Sequence, residues 1–286
     1  MLANAMTSVA IMILVRLLGQ NIPVFELVFF RNIFVLSLGL PFAFRGGFNT
    51  LKTQHLNLHL ARGGISFVAM SCFYWAFSHL PLAESTALMF TMPLFLIALT
   101  TLFLGEKIGW RRTSATIAGF LGVVIMLRPG YAAFDPAFFV PLTVGLADAV
   151  TALVIRKLAR TDSLLTIMLY MAMTTMVLTI VPTYLTWVTP TAEFLVLLFV
   201  LSLLTIVSQF VYVAALRVGE ATAVAPVNYI QIVLAGLAGL LLFGEKPSMW
   251  TATGALVIVG STLYIAHREA RLKRHAGTLA PPGEVP

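Results

Sequence analysis

The chain has 286 residues, of which 59% are hydrophobic and 10% charged, with a formal net charge of +7 and a mean hydropathy of +0.96. A soluble domain carries about 25% charged residues, so there is too little polar surface here to cover a water-soluble globule. The positive charge does not form a nucleic-acid footprint, because the basic residues are scattered through short segments between apolar runs. A single cysteine, Cys72, excludes an intrachain disulfide and a paired-cysteine metal site, and its apolar surroundings predict a buried, inert thiol.

Breaks at glycine, proline and charge clusters predict ten membrane spans, at roughly 2–18, 24–43, 59–79, 83–104, 113–128, 138–156, 163–187, 191–215, 221–243 and 250–267. The first is read as a spanning helix, since no basic segment precedes it and no small-residue cleavage site follows. The links are short, and residues 269–286 read as a disordered cytoplasmic tail. With the amino terminus inside, fourteen Lys and Arg residues, Arg62, Lys107, Arg156 and Arg271 among them, fall on the cytoplasmic side or its flanks. Only Arg16, Arg128 and Lys246 fall opposite, which predicts both termini in the cytoplasm.

A short signature occurs twice. Leu102-Phe103-Leu104-Gly105-Glu106-Lys107 returns as Leu241-Leu242-Phe243-Gly244-Glu245-Lys246, and Glu84-Ser85-Thr86-Ala87 returns as Glu220-Ala221-Thr222-Ala223. Five predicted spans separate the copies, and an odd number reverses direction. The expectation is an all-α membrane protein whose ten helices form two inverted five-helix repeats, residues 1–130 and 131–268, around a central cavity.

Polar groups at midplane depth are expensive and are the first candidates for function. On span three, Ser71, Tyr74, Trp75 and Ser78 follow helical spacing and offer rings with hydroxyls among them; His79 lies at the end of that span. Thr91, Met92 and Pro93 mark an interruption of span four, and Pro226 marks one in span nine. Gln209 and Tyr212 occupy comparable positions in span eight. Asn228 and Gln231, three apart on one helix face, suit an amino or carboxylate group, or else a helix-to-helix hydrogen bond.

Arg31 and Asp148 are ionisable residues inside spans. Arg31 attracts a substrate carboxylate, or pairs with a backbone carbonyl or Glu26; Asp148 binds an ammonium group or carries a proton. Pairs such as Ala118/Gly122 and Ala235/Gly239 are helix-contact surfaces, and Glu84, Glu106, Glu220 and Glu245 are helix-terminal caps or interfacial charges.

Ten spans, the Gly-Glu element closing the fourth helix of each half, Arg31 after Pro23, and the run Gly119-Phe120-Leu121-Gly122-Val123-Val124-Ile125 resemble the EamA-type members of the drug/metabolite transporter superfamily. Within it the chain looks most like bacterial inner-membrane exporters of aromatic amino acids, the YddG type. The resemblance implies a central substrate cavity, alternating access, no cofactor and no metal. The implied partners are a small-molecule substrate and the lipid bilayer, for a monomer in a bacterial cytoplasmic membrane. The leading cargo is an aromatic or other bulky apolar amino acid, and drug-like cations or nucleotide-sugars are the alternative. A channel or a membrane-embedded enzyme ranks lower, because no filter, nucleophile or metal-ligand motif is present in the sequence.

Overall fold

The computed structural model describes residues 2–45, 52–104, 109–128, 135–218 and 229–279. All regular structure among them is helical: α1 Leu2–Leu18, α2 Val24–Arg45, α3 Leu56–His79, α4 Leu82–Met89, α5 Met92–Leu104, α6 Trp110–Leu127, α7 Phe139–Leu158, α8 Leu164–Leu185, α9 Ala192–Val218, α10 Ile230–Phe243 and α11 Met249–Leu279. These helices fall on the ten predicted spans, the fourth span taking both α4 and α5. Among the described residues six stretches are long and apolar enough to cross a membrane, and three shorter apolar helices accompany them: Leu2–Leu18, Ala192–Ser208 and Ile230–Phe243. Apolar side chains facing lipid satisfy the outside of such a bundle, while the helices satisfy their own backbone groups.

The break between α4 and α5 has a local cause. Phe90 and Thr91 leave helical geometry, and Pro93 then sits in the first turn of α5, where a missing N–H removes no hydrogen bond. The last helix departs from expectation: α11 runs on to Leu279, well past the predicted boundary at 267. Between Ala266 and Leu279 the chain is rich in Ala, Leu, Arg and Lys, all good helix formers, with Gly277 as its one glycine and no proline.

Hydrogen bonds between chain segments show how the helices alternate in direction. At the end of the bundle where α1 finishes, called the far end here, the Arg16 guanidinium (Nη1) donates to the Leu80 carbonyl at 3.1 Å and Gln20 (Nε2) to the Ser78 carbonyl at 3.2 Å. There too the Val188 N–H, just past α8, donates to Glu26 at the start of α2 (3.1 Å), and Arg128 donates to Ser248 (2.9 Å). At the near end, where α1 begins, Thr53 and His59 meet Asp162 in the α7–α8 turn. Across the bundle α2 packs on α8, α3 on α7, α1 on α9, and α6 on α11.

The far half is closely filled. Val15, Leu18, Ile22, Leu27, Phe77, Leu82, Leu198 and Leu201 form one buried cluster where α1, α2, α3, α4 and α9 converge. Between membrane helices such packing acts through van der Waals contact rather than release of water. The small residues of α6 meet a matching one on α11: a Cβ on Gly254 would lie 2.7 Å from the Gly122 carbonyl, so these two backbones touch. Gly239 serves differently from the predicted helix contact, because its missing Cβ leaves room for the Glu245 carboxylate. Cys72 is half-buried, less enclosed than its apolar neighbours predict.

Candidate functional site

The middle of the bundle holds a cavity in two lobes, of about 620 Å³ and 220 Å³. Arg31 of α2, Ala69 and Met70 of α3, and Asp148 of α7 line both lobes and join them. The smaller lobe adds Tyr74, Phe73, Thr205 and Ser208; the larger adds Thr86, Met89, Phe90, Met92, Pro93, Tyr229 and Gln231. The larger lobe continues toward the near end along Arg62 and Ser66 on α3 and Thr151, Ala152 and Ile155 on α7. Volume and lining match a pocket for a metabolite of moderate size, mostly apolar with a few placed polar groups.

Arg31 and Asp148 thus reach one cavity from facing helices. Arg31 is 7% exposed, and its guanidinium donates to the Met70 sulfur at 3.4 Å. It does not pair with Glu26, whose carboxylate accepts instead from the Val188 N–H. Among the described residues neither Arg31 nor Asp148 has a partner of opposite charge; the carboxylates in contact with basic side chains are Glu245, at Arg16, and Asp162, at His59. The break between α4 and α5 places Met89, Phe90, Met92 and Pro93 on the wall. Phe90 and Tyr229 stand with ring centroids 4.9 Å apart, and Gln231 follows on α10.

Other predicted site residues lie elsewhere. The cavity face of α3 carries Arg62, Ser66, Ala69, Met70, Phe73 and Tyr74, so Tyr74 is the one member of the predicted stripe on it. Ser71 and Trp75 lie about 100° around the helix from Met70 and Tyr74, and Ser78, one turn past Tyr74 on the same side, lies beyond the cavity lining toward the far end. The Ser71 hydroxyl is buried without a partner, and Trp75 stacks on His79 with centroids 4.7 Å apart. The Ser78 hydroxyl donates to the Tyr74 carbonyl beside Gly19. His79 is exposed at the far end, its Nδ1 3.0 Å from the Trp75 carbonyl oxygen. Thr91 is fully buried against Gly145 and donates to the Leu88 carbonyl, so it packs α5 onto α7 rather than lining the cavity. Gln209 and Tyr212 lie on α9, but their side chains, like Asn228, Pro226, Glu106, Lys107 and Glu220, are outside the described residues.

Sequence reasoning missed a second group, at the near end. His59 Nε2 lies 2.7 Å from Asp162 Oδ2, and the Thr53 hydroxyl donates to the same oxygen at 2.7 Å. Burial pushes the Asp162 carboxyl up, but the hydrogen bonds from His59 and Thr53 outweigh it and hold it below the usual carboxylate value. A carboxyl depressed in the folded state adds stability above its unfolded value and loses that contribution as acidification passes its folded value. The thermal midpoint of the purified protein is therefore expected to exceed that of Asp162→Asn at neutral pH, with the gap closing below about pH 4. A constant gap across that range would show that the carboxylate contributes no such linkage.

A bundle of apolar helices around a cavity with isolated charges defines a multi-pass membrane transporter. The EamA-like transporter family model matches residues 1–128 and again 136–266, and the chain belongs to that family. An S-adenosylmethionine uptake transporter of Rickettsia bellii is 33% identical over 270 residues, covering 94% of this chain and 93% of the relative. A riboflavin transporter of Brucella anthropi is 26% identical over 266 residues, covering 90% and 92%. A crystal structure at 18% identity shares the fold, with a TM-score of 0.61 over 94% of this chain and 97% of its own. The transporter expectation holds at family level, and the narrower one does not: these relatives are named for S-adenosylmethionine and riboflavin, not for aromatic amino acids.

Proposed function

We propose that this chain carries a zwitterionic, ring-bearing metabolite of the S-adenosylmethionine class across a bacterial cytoplasmic membrane, with Arg31 and Asp148 reading its charged groups. The observation that carries this reading is the placement of those two unlike charges on one cavity, each without a protein counter-ion among the described residues. Arg31 suits a carboxylate, which a guanidinium binds through two parallel hydrogen bonds. Asp148 suits an ammonium or sulfonium group. Phe90 and Tyr229 offer ring faces to a flat heterocycle, while Met12, Met70, Met89 and Met92 give a soft, adaptable apolar wall. The amino-acid head group predicted from the sequence is retained, and the cargo's ring changes from a hydrocarbon to a heterocycle. Uptake replaces export as the proposed direction, following the relative named an uptake transporter.

The two halves are read as inverted repeats that take turns exposing this cavity, with both termini in the cytoplasm. Three features support this. The family model matches the chain twice. The contact of α1 with α9 answers that of α3 with α7, each joining the first helix of one half to the third of the other. The end of α10 lies against the start of α4, where Glu245 accepts from the Leu82 N–H, so these fourth-span helices run oppositely.

The test is uptake by the reconstituted full-length protein of labelled S-adenosylmethionine, riboflavin and phenylalanine, with and without a pH gradient. Saturable S-adenosylmethionine uptake with counterflow is expected. Saturable phenylalanine uptake with no S-adenosylmethionine transport would overturn the cargo reading, and a non-saturable flux would indicate a pore.

A further inference from the structure

We infer that Arg62, with Ser66 one turn further along α3, forms a second oxyanion subsite at the near-end mouth of the cavity, separate from the level of Arg31 and Asp148. The inference rests on the proposed transport of a carboxylate-bearing cargo, and its ligand class is an organic carboxylate or phosphate borne by that cargo. Positive-inside counting treats Arg62 as a cytoplasmic flank. The structure instead sets it in the second turn of α3, 6% exposed and on the wall of the larger lobe.

A guanidinium has five N–H donors. At Arg62 one nitrogen, Nη1, reaches the Ile167 carbonyl at 2.9 Å, while Nε is buried with no partner. No carboxylate pairs with it among the described residues. On its own element the nearest acid-bearing contact is His59–Asp162, where the carboxylate is already held by His59 and by Thr53. The facing helix α7 runs antiparallel and presents Thr151, Ala152 and Ile155 toward this end of the lobe, whereas Asp148 lines both lobes with Ala69 and Met70. From α8 the contact is a backbone carbonyl.

A buried cation with an idle donor and no counter-ion is costly unless an anion visits it. Ser66 is four residues along on the same helix face, buried in the same wall, and adds a hydroxyl donor. Met70, which holds Arg31, is eight residues from Arg62, about 12 Å along the helix axis. The two guanidiniums are anchored at different levels, Arg62 at the Ile167 carbonyl in the first turn of α8 and Arg31 at the Met70 sulfur. They are two stations, Arg62 capturing the anionic group at the mouth and Arg31 holding it at depth.

The competing role for Arg62 is a staple joining α3 to α8 through Ile167. Reconstituted wild type, Arg62→Gln and Arg62→Lys are compared for uptake of S-adenosylmethionine and of its decarboxylated analogue, which lacks the anionic group. In Arg62→Gln the KM for S-adenosylmethionine is expected to rise about tenfold while that of the analogue stays within about twofold, with partial recovery in Arg62→Lys. Equal shifts for both cargoes, or none for either, would overturn the subsite and leave the staple.

If the wild type carries neither cargo, the cargo reading has failed, and the subsite is decided by thermal unfolding of the purified proteins with inorganic phosphate as the probe. A phosphate-dependent rise in the midpoint of wild type and Arg31→Gln, absent in Arg62→Gln, supports an oxyanion site at Arg62. The same rise in all three overturns it.

Discussion

Arg31→Gln is expected to lower kcat/KM for S-adenosylmethionine about a hundredfold in proteoliposomes while leaving the folded protein as stable as wild type or more so. The two halves of that expectation have one cause. A guanidinium 7% exposed, with the Met70 sulfur as its hydrogen-bond acceptor and no carboxylate partner among the described residues, is desolvated with little compensation in the empty protein. Replacing it with a neutral amide removes that burden. With cargo bound, the same guanidinium makes a charge-assisted, two-pronged contact to a carboxylate in a water-poor cavity, worth about 3 kcal/mol, or about two decades in kcat/KM. Opposite movement of stability and activity marks a residue kept for function at a cost to the fold. Arg31→Lys keeps the charge but not the fork and should recover about one decade. Asp148→Asn is the counterpart, weakening cargo that bears an ammonium or sulfonium group. Unchanged kcat/KM in Arg31→Gln, or a midpoint falling together with activity, would remove Arg31 from the recognition role and make it structural.

What the sequence disclosed follows from which physical signal each residue emits. Arg31 and Asp148 stand out as charges inside apolar runs, and Pro93 as a proline inside one; composition alone reveals their cost. Helix rotation emits no such signal. On α3 the sequence stripe takes in Ser71, Tyr74, Trp75 and Ser78, yet the cavity wall runs through Arg62, Ser66, Ala69, Met70 and Tyr74, leaving Ser71 and Trp75 to one side and Ser78 beyond its end. In a membrane the polar stripe of a helix also serves hydrogen bonds within and between helices, as Ser78 does. Arg62 was obscured by a rule that works on average, since an arginine near a span's start supports topology whether it faces lipid headgroups or a cavity. His59 and Asp162 are 103 residues apart, and no local pattern announces their contact.

Glu245→Ala is expected to lower the unfolding free energy by about 3 kcal/mol, the larger stability effect among these variants. Glu245 does three things at the far end, two of them through its carboxylate. It lies 3.2 Å from the Arg16 guanidinium, with side chains 12% and 18% exposed, so the pair is largely shielded from water. It accepts from the Leu82 N–H at 2.8 Å, satisfying an otherwise idle donor at the start of α4 and placing negative charge at a helix amino terminus. Its own backbone N–H returns to the Gly239 carbonyl past Gly244, whose φ of +67° closes α10 in the left-handed conformation. Truncation strands a shielded cation that still holds the Leu80 carbonyl and spans the joint between α1 and α3. Glu245→Gln keeps an acceptor for Leu82 but not the charge, and should cost about half as much. The exchange Arg16→Glu with Glu245→Arg restores opposite charges but puts a donor against the Leu82 N–H, so it should recover the pair without recovering the cap. Chemical unfolding of wild type, Arg16→Ala, Glu245→Ala and the double alanine variant in one detergent gives the coupling energy directly. Additive losses for Arg16→Ala and Glu245→Ala would show that the two side chains act independently. A coupling of about 1 kcal/mol or more would identify them as one latch holding the far end of α1 to the α10–α11 turn.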